Sequence, residues 1–101
     1  MDMEMVIMKL VVTSGDARST AIEALRSARE GKFEHADQLM KEADQMVFQS
    51  HEAQTEMIQN ELNGNKTEVS LLMVHAQDHL MNAMTVMDLS REMIEILKNK
   101  E

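Results

Sequence analysis

Residues 69–97 read VSLLMVHAQDHLMNAMTVMDLSREMIEIL, a stretch with neither Gly nor Pro, and the repeat of its apolar residues decides the fold. Val69, Leu72, Ala76, Leu80, Ala83, Met87, Ile94 and Leu97 recur at helical spacing, the mark of one buried face on an α-helix. A second set, Leu71, Val74, Asp78, Met81, Thr85 and Asp88, follows strict three-four spacing on another side, about 150° away at roughly 100° per residue. A helix packed along one face needs only the first set. The second implies contact with something beyond the chain's own bundle, and the simplest partner is the same helix from other subunits.

Upstream, Gly31 in Arg-Glu-Gly-Lys-Phe and Gly64 in Leu-Asn-Gly-Asn-Lys each follow a long amphipathic run, where Gly takes the left-handed cap conformation at little cost. They divide the chain into three helical segments, Met3 to Glu30, Phe33 to Leu62 and Thr67 to Lys98. Each spans about 40 Å at ~1.5 Å per residue. Short connections make consecutive helices antiparallel neighbours. The expected fold class is all-α, a single domain over residues 1–101 built as an antiparallel up-down-up three-helix bundle. In the second segment Ala36, Leu39, Ala43, Met46, Ser50, Ala53 and Met57 form the buried stripe, widened by Phe33, Met40, Val47 and Ile58. The first segment has Met8, Val11, Val12, Ala21, Ile22, Leu25 and Ala28. Gly15 interrupts it at a cost of about 1 kcal/mol relative to Ala, which close backbone packing or a local bend would account for.

Composition excludes several classes of function. Of 101 residues, 18 are Asp or Glu against 10 Lys or Arg, a net charge of -8, which argues against a nucleic acid partner. Cys is absent, so there is no disulfide, thiolate metal site or cysteine nucleophile, and the cytoplasm is the expected compartment. The longest apolar run, Met5 to Val12, is broken by Lys9 and preceded by Asp2 and Glu4. It lacks the length of a membrane span and the basic start of a signal peptide, so no membrane insertion is expected. Twelve Met stand against two aromatics, Phe33 and Phe48. Most of these Met fall at helical spacing, so bundle filling is the expected role and a partner-binding surface the alternative.

Asp78 lies within the second seam between Val74 and Met81. Buried on a symmetry axis, it would meet its own copies, and like charges there share protons, bind a cation or draw in water. A polar residue that only sets helix register is the plainer alternative. His75 stands three residues before it and His79 one turn after His75. His75, His79 and Asn82 share a strip between the two seams, at the groove between subunits. An i,i+4 His pair chelates metal only with further ligands, which this stretch lacks, and the HExxH pattern is absent because residues 76 and 77 are Ala and Gln. A neutral imidazole is, however, a nucleophile at physiological pH, and a neighbouring carboxylate or second imidazole orients it. His35 has no such neighbours and reads as a surface residue.

The run Val74-His75-Ala76-Gln77-Asp78-His79-Leu80-Met81, preceded by Val69-Ser70-Leu71-Leu72, closely resembles the active segment of the lactose- and cellobiose-type IIA components of the sugar phosphotransferase system. Thr13-Ser14-Gly15-Asp16-Ala17-Arg18-Ser19, Gly31-Lys32-Phe33 and Ser50-His51-Glu52-Ala53-Gln54-Thr55 resemble further family segments, in order along nearly the whole chain. The resemblance implies that His75 accepts a phosphoryl group from the phosphocarrier HPr and passes it to the cognate IIB component during uptake of a disaccharide of the cellobiose, chitobiose or lactose class. It implies a homotrimer whose third helices meet on the axis, with Asp78 from each chain converging there on a divalent cation such as Mg. Gln77 and His79 match motif positions and take supporting roles, while His51 and Gln54 either reach the groove or bond internally. No nucleotide loop of the form GxxxxGK[ST] is present, as expected when the donor is already a phosphohistidine. The competing readings are a noncatalytic trimeric adaptor, in which His75 and Asp78 only set oligomer register, and a metal sensor built on His75 and His79.

Overall fold

A computed structural model describes residues 3–100 and contains three helices, α1 (Met3–Arg29), α2 (Phe33–Leu62) and α3 (Leu71–Asn99). Both glycine punctuation marks hold. Gly31 and Gly64 have φ of 82° and 93°, the left-handed region that a Cβ disfavours. Around Gly31, its N–H donates to the Ala28 carbonyl at 2.9 Å and the Lys32 N–H to the Ser27 carbonyl at 2.8 Å. Gly64 and Asn65 repeat the pattern onto Glu61 and Asn60 at 3.0 and 2.8 Å. These paired bonds satisfy the last carbonyls of each helix and turn the chain.

The third helix starts later than the glycine spacing suggests. Ser70 has extended backbone angles, and its Oγ accepts from the Met73 N–H at 3.1 Å. A side-chain oxygen that takes one of the four orphan N–H groups fixes the start at the following residue. Thr67, Glu68 and Val69 therefore belong to the connection. Val69 is 79% exposed and Leu72 is 41% exposed, so both leave the core-facing stripe assigned to them, and Met73 and Ser90 are buried instead.

α1 packs along both other helices, while α2 and α3 touch each other less. The rod-shaped molecule measures 53 × 20 × 19 Å. Two apolar clusters hold it together. One gathers Ala17, Ala21, Ala24 and Ala28 of α1 with Ala36, Leu39, Met40 and Ala43 of α2 and Met87 and Ile94 of α3. Small side chains let these helices approach closely. The other cluster gathers Ile7 and Leu10 with Met73, Ala76 and Leu80. Between them lie Ser14 and Ser50, both buried, with hydroxyls that find no hydrogen-bond partner among the described residues. Gly15 needs no close packing to explain it: a Cβ there would meet nothing within 4 Å, and the helix runs through it unbroken.

Polar ties fasten α2 to α3. Lys98 Nζ lies 2.9 Å from Asp37 Oδ1, Arg91 Nη2 lies 2.7 Å from Asp44 Oδ1, and Gln54 Nε2 donates to Gln77 Oε1 at 2.6 Å. Late α3 thus lies beside early α2, and early α3 beside late α2. The methionines divide differently from the expectation of bundle filling. Met40, Met73 and Met87 are buried, but Met5, Met8, Met81 and Met93 are exposed. Among the described residues no helix is long and apolar enough to cross a membrane.

Candidate functional site

The Ser70 cap places His75 in the second turn of α3, past the irregular connection and on a regular helical frame. His75 is exposed and His79 half-buried. Their ring centroids are 4.3 Å apart, with planes tilted by 55°, the arrangement that i,i+4 spacing produces on one helix face. Asp78 and Asn82 are exposed on the same side. Neither imidazole nor the Asp78 carboxylate makes a hydrogen bond or ion pair among the described residues. Both rings therefore keep ring nitrogens available to an incoming group.

The second seam of α3 is present and longer than its spacing predicted. Leu71, Val74, Asp78, Met81, Thr85 and Asp88 are all exposed, with Leu71 at 87%. Past Thr85, however, the apolar line continues through Leu89, Met93 and Ile96, which are also exposed. Asp88 leaves it, lying 3.5 Å from Arg91. One uncovered stripe thus runs the length of α3 with a lone carboxylate in its first half. Uncovered apolar surface of this extent marks an interaction face.

Gln77 is on a different side. Two residues after His75 it lies about 200° further around the helix at roughly 100° per residue, where it meets Gln54 of α2. Its own Nε2 donates to Met73 Sδ at 3.4 Å. Gln54 therefore reaches α3 but not the His75 ring, and its bond is internal. His51 is exposed and makes no hydrogen bond among the described residues, and His35 is exposed as expected. The Gln54–Gln77 pair escaped prediction as a pair. Its signal was that Gln54 follows Ser50 by one turn on the buried stripe of α2, an unusual place for an amide without a partner.

Comparison with known proteins bears on what such a helix does. The model for the lactose/cellobiose-specific IIA subunit of the PTS system matches residues 5–98. The chain belongs to this family. A relative, the lichenan-specific phosphotransferase enzyme IIA component of Bacillus subtilis, is 48% identical over 95 residues, covering 94% of this chain and 86% of the relative. Among solved structures, the cellobiose-specific enzyme IIA of Bacillus anthracis superposes with a TM-score of 0.93 at 46% identity, covering 98% of this chain and 91% of that one. A IIA(chitobiose)–HPr complex matches with a TM-score of 0.85 at 36% identity, over 98% and 96% of the two chains. Members of this family are phosphotransfer components of sugar uptake, and this chain shares that coarse role.

The expected metal centre is not built by one chain. Among the described residues no three His, Asp or Glu side chains converge on a point. His75 and His79 are the only two imidazoles paired there, and Asp78 offers one carboxylate with no second acidic ligand. Two rings without further ligands fall short of the four-coordinate shell a zinc site wants.

Proposed function

We propose that this chain is the phosphoryl carrier of a sugar phosphotransferase system, taking the group from phospho-HPr on His75 and passing it to its cognate IIB component. The observation that supports it best is the exposed His75 ring, paired with His79 and without a competing partner, on a helix of this family. In the transfer, a ring nitrogen lone pair of His75 forms a bond to phosphorus as the donor's N–P bond breaks, and the donor imidazole recovers its pair. Little covalent work is left for the protein, so catalysis reduces to positioning and to managing charge. His79 supports the ring from one turn away, and Gln77 acts from the opposite side through α2. The class of sugar is that of cellobiose, chitobiose and lactose.

An up-down-up course and a homotrimer with α3 on the axis belong to the same proposal. The exposed stripe from Leu71 to Ile96 supports this assembly, because a lone subunit would leave that apolar face in water. Three copies would bring three Asp78 carboxylates together, and three oxygen ligands with water suit a hard cation such as Mg. A phosphoryl group on His75 adds charge beside Asp78 in a chain of net charge -8, which raises the energy of the loaded state and favours onward transfer. The carrier works in the cytoplasm, between HPr and IIB.

The test is to incubate the protein with HPr, its upstream kinase and phosphoenolpyruvate. One phosphoryl group per chain on His75, abolished in His75→Ala, is the expected result. A label on another residue overturns the assignment. Normal assembly with no label at all would favour the noncatalytic adaptor.

A further inference from the structure

We infer that Gln54 is a positioning residue for His75, acting through Gln77. The inference rests on the carrier reading for its kinetic consequence and on geometry for its physical content. The first turns of α3 are thinly anchored: from Leu71 to His75 only Met73 is buried, while Leu71, Leu72 and Val74 are exposed. The ion pairs of Asp44 with Arg91 and Asp37 with Lys98 fasten α2 to the far half of α3. In the half that bears His75, the described residues offer one nitrogen–oxygen bond between these helices, from Gln54 Nε2 to Gln77 Oε1 at 2.6 Å.

Weak contacts with sulfur set the orientation of both amides. Gln77 Nε2 donates to the sulfur of buried Met73 at 3.4 Å, so Gln77 Oε1 is left to face α2. Gln54 Nε2 also lies 4.0 Å from Met81 Sδ, so it sits between Gln77 and Met81 of α3. Turning α3 about its axis breaks this clasp, and the same turn swings His75 and His79 on the opposite side. Side-chain tips stand about 5–6 Å from a helix axis, so a rotation of about 20° moves an imidazole by roughly 2 Å. A misplacement of about 1 Å costs on the order of 10²-fold where reacting atoms must be aligned.

The test compares Gln54→Leu, which keeps bulk but loses the donor, with Gln54→Glu, whose carboxylate accepts from a turned Gln77 amide. Asp44→Leu removes a tie at the other end as a control. Phosphoryl uptake from phospho-HPr should fall at least tenfold in kcat for Gln54→Leu, with KM for the donor unchanged, and recover in Gln54→Glu; Asp44→Leu should leave kcat alone. Before any phosphorylation, the His75 and His79 ring resonances should shift or broaden in Gln54→Leu and not in Asp44→Leu. Unchanged kcat together with unchanged ring resonances, or equal losses in Gln54→Leu and Asp44→Leu, overturns the inference. If wild type takes no phosphoryl group, the carrier reading fails, and the ring resonances alone decide whether Gln54 orients the imidazoles.

Discussion

Ser14 and Ser50 show what a single atom costs in this bundle. Each hydroxyl is buried and has no partner among the described residues, and a buried unsatisfied polar group costs about 1–3 kcal/mol. Ser14→Ala removes that cost while keeping the small volume that helix packing needs, so it should raise stability by about 1 kcal/mol, measured by urea unfolding. At Ser70 the same residue type does the opposite job. Its Oγ caps α3 through the Met73 N–H, and Ser70→Ala should lose about 1 kcal/mol, with faster amide exchange confined to the first turn. The placement of these side chains was legible at this scale: His75 and Asp78 are exposed and His79 half-buried, on the side of α3 away from the buried stripe, where their spacing put them. Gln77 was less so. A helical wheel shows that it points away from His75, but which α2 side chain meets it depends on how two helices sit side by side.

At the scale of elements, the two glycines made the ends of α1 and α2 readable, because positive φ has a residue signature. The start of α3 was not, since Thr67 through Ser70 contain no residue that forbids helix and the decision falls to a single hydroxyl. The same late start explains why Val69 was misassigned to the core, whereas Leu72 falls beside the buried stripe that begins at Met73 and continues through Ala76 and Leu80. The polar ladder between α2 and α3 was also hidden, being spread over residues far apart in sequence. Its outermost rung titrates. Hydrogen bonding to Asp37 raises the Lys98 ammonium above the ordinary lysine value, desolvation opposes this, and the charges of Asp37 and Glu95 add to it. A raised folded-state value means that the contribution is full below the ordinary lysine range and is lost as pH climbs through the raised value. Lys98→Met should therefore melt lower than wild type at neutral pH, and the gap should close in strongly alkaline solution. Because the rung is exposed, the neutral-pH gap should be small.

Taken whole, the molecule is a slender rod with a core made largely of alanine. Leu10 and Leu80 are the most completely buried large apolar residues among those described, at 1% and 0% exposure. Leu80→Ala should cost about 2–5 kcal/mol, a large share of the stability of so small a domain, read as a lower urea midpoint. Assembly is the expected remedy for a core this lean, and Ile96→Glu, placed on the uncovered stripe of α3, should shift the protein toward single subunits in sedimentation velocity while its helix content at high concentration stays the same. The layer between the two apolar clusters runs across all three helices: Ser14 lies between Leu10 and Ala17, Ser50 between Val47 and Ala53, and Ala83 between Leu80 and Met87. Among the described residues the two apolar clusters share no member, so the core is divided at this level. A chimera that takes the imidazole-bearing end from a relative and is joined at this layer should therefore fold as well as either parent, measured by its urea unfolding midpoint.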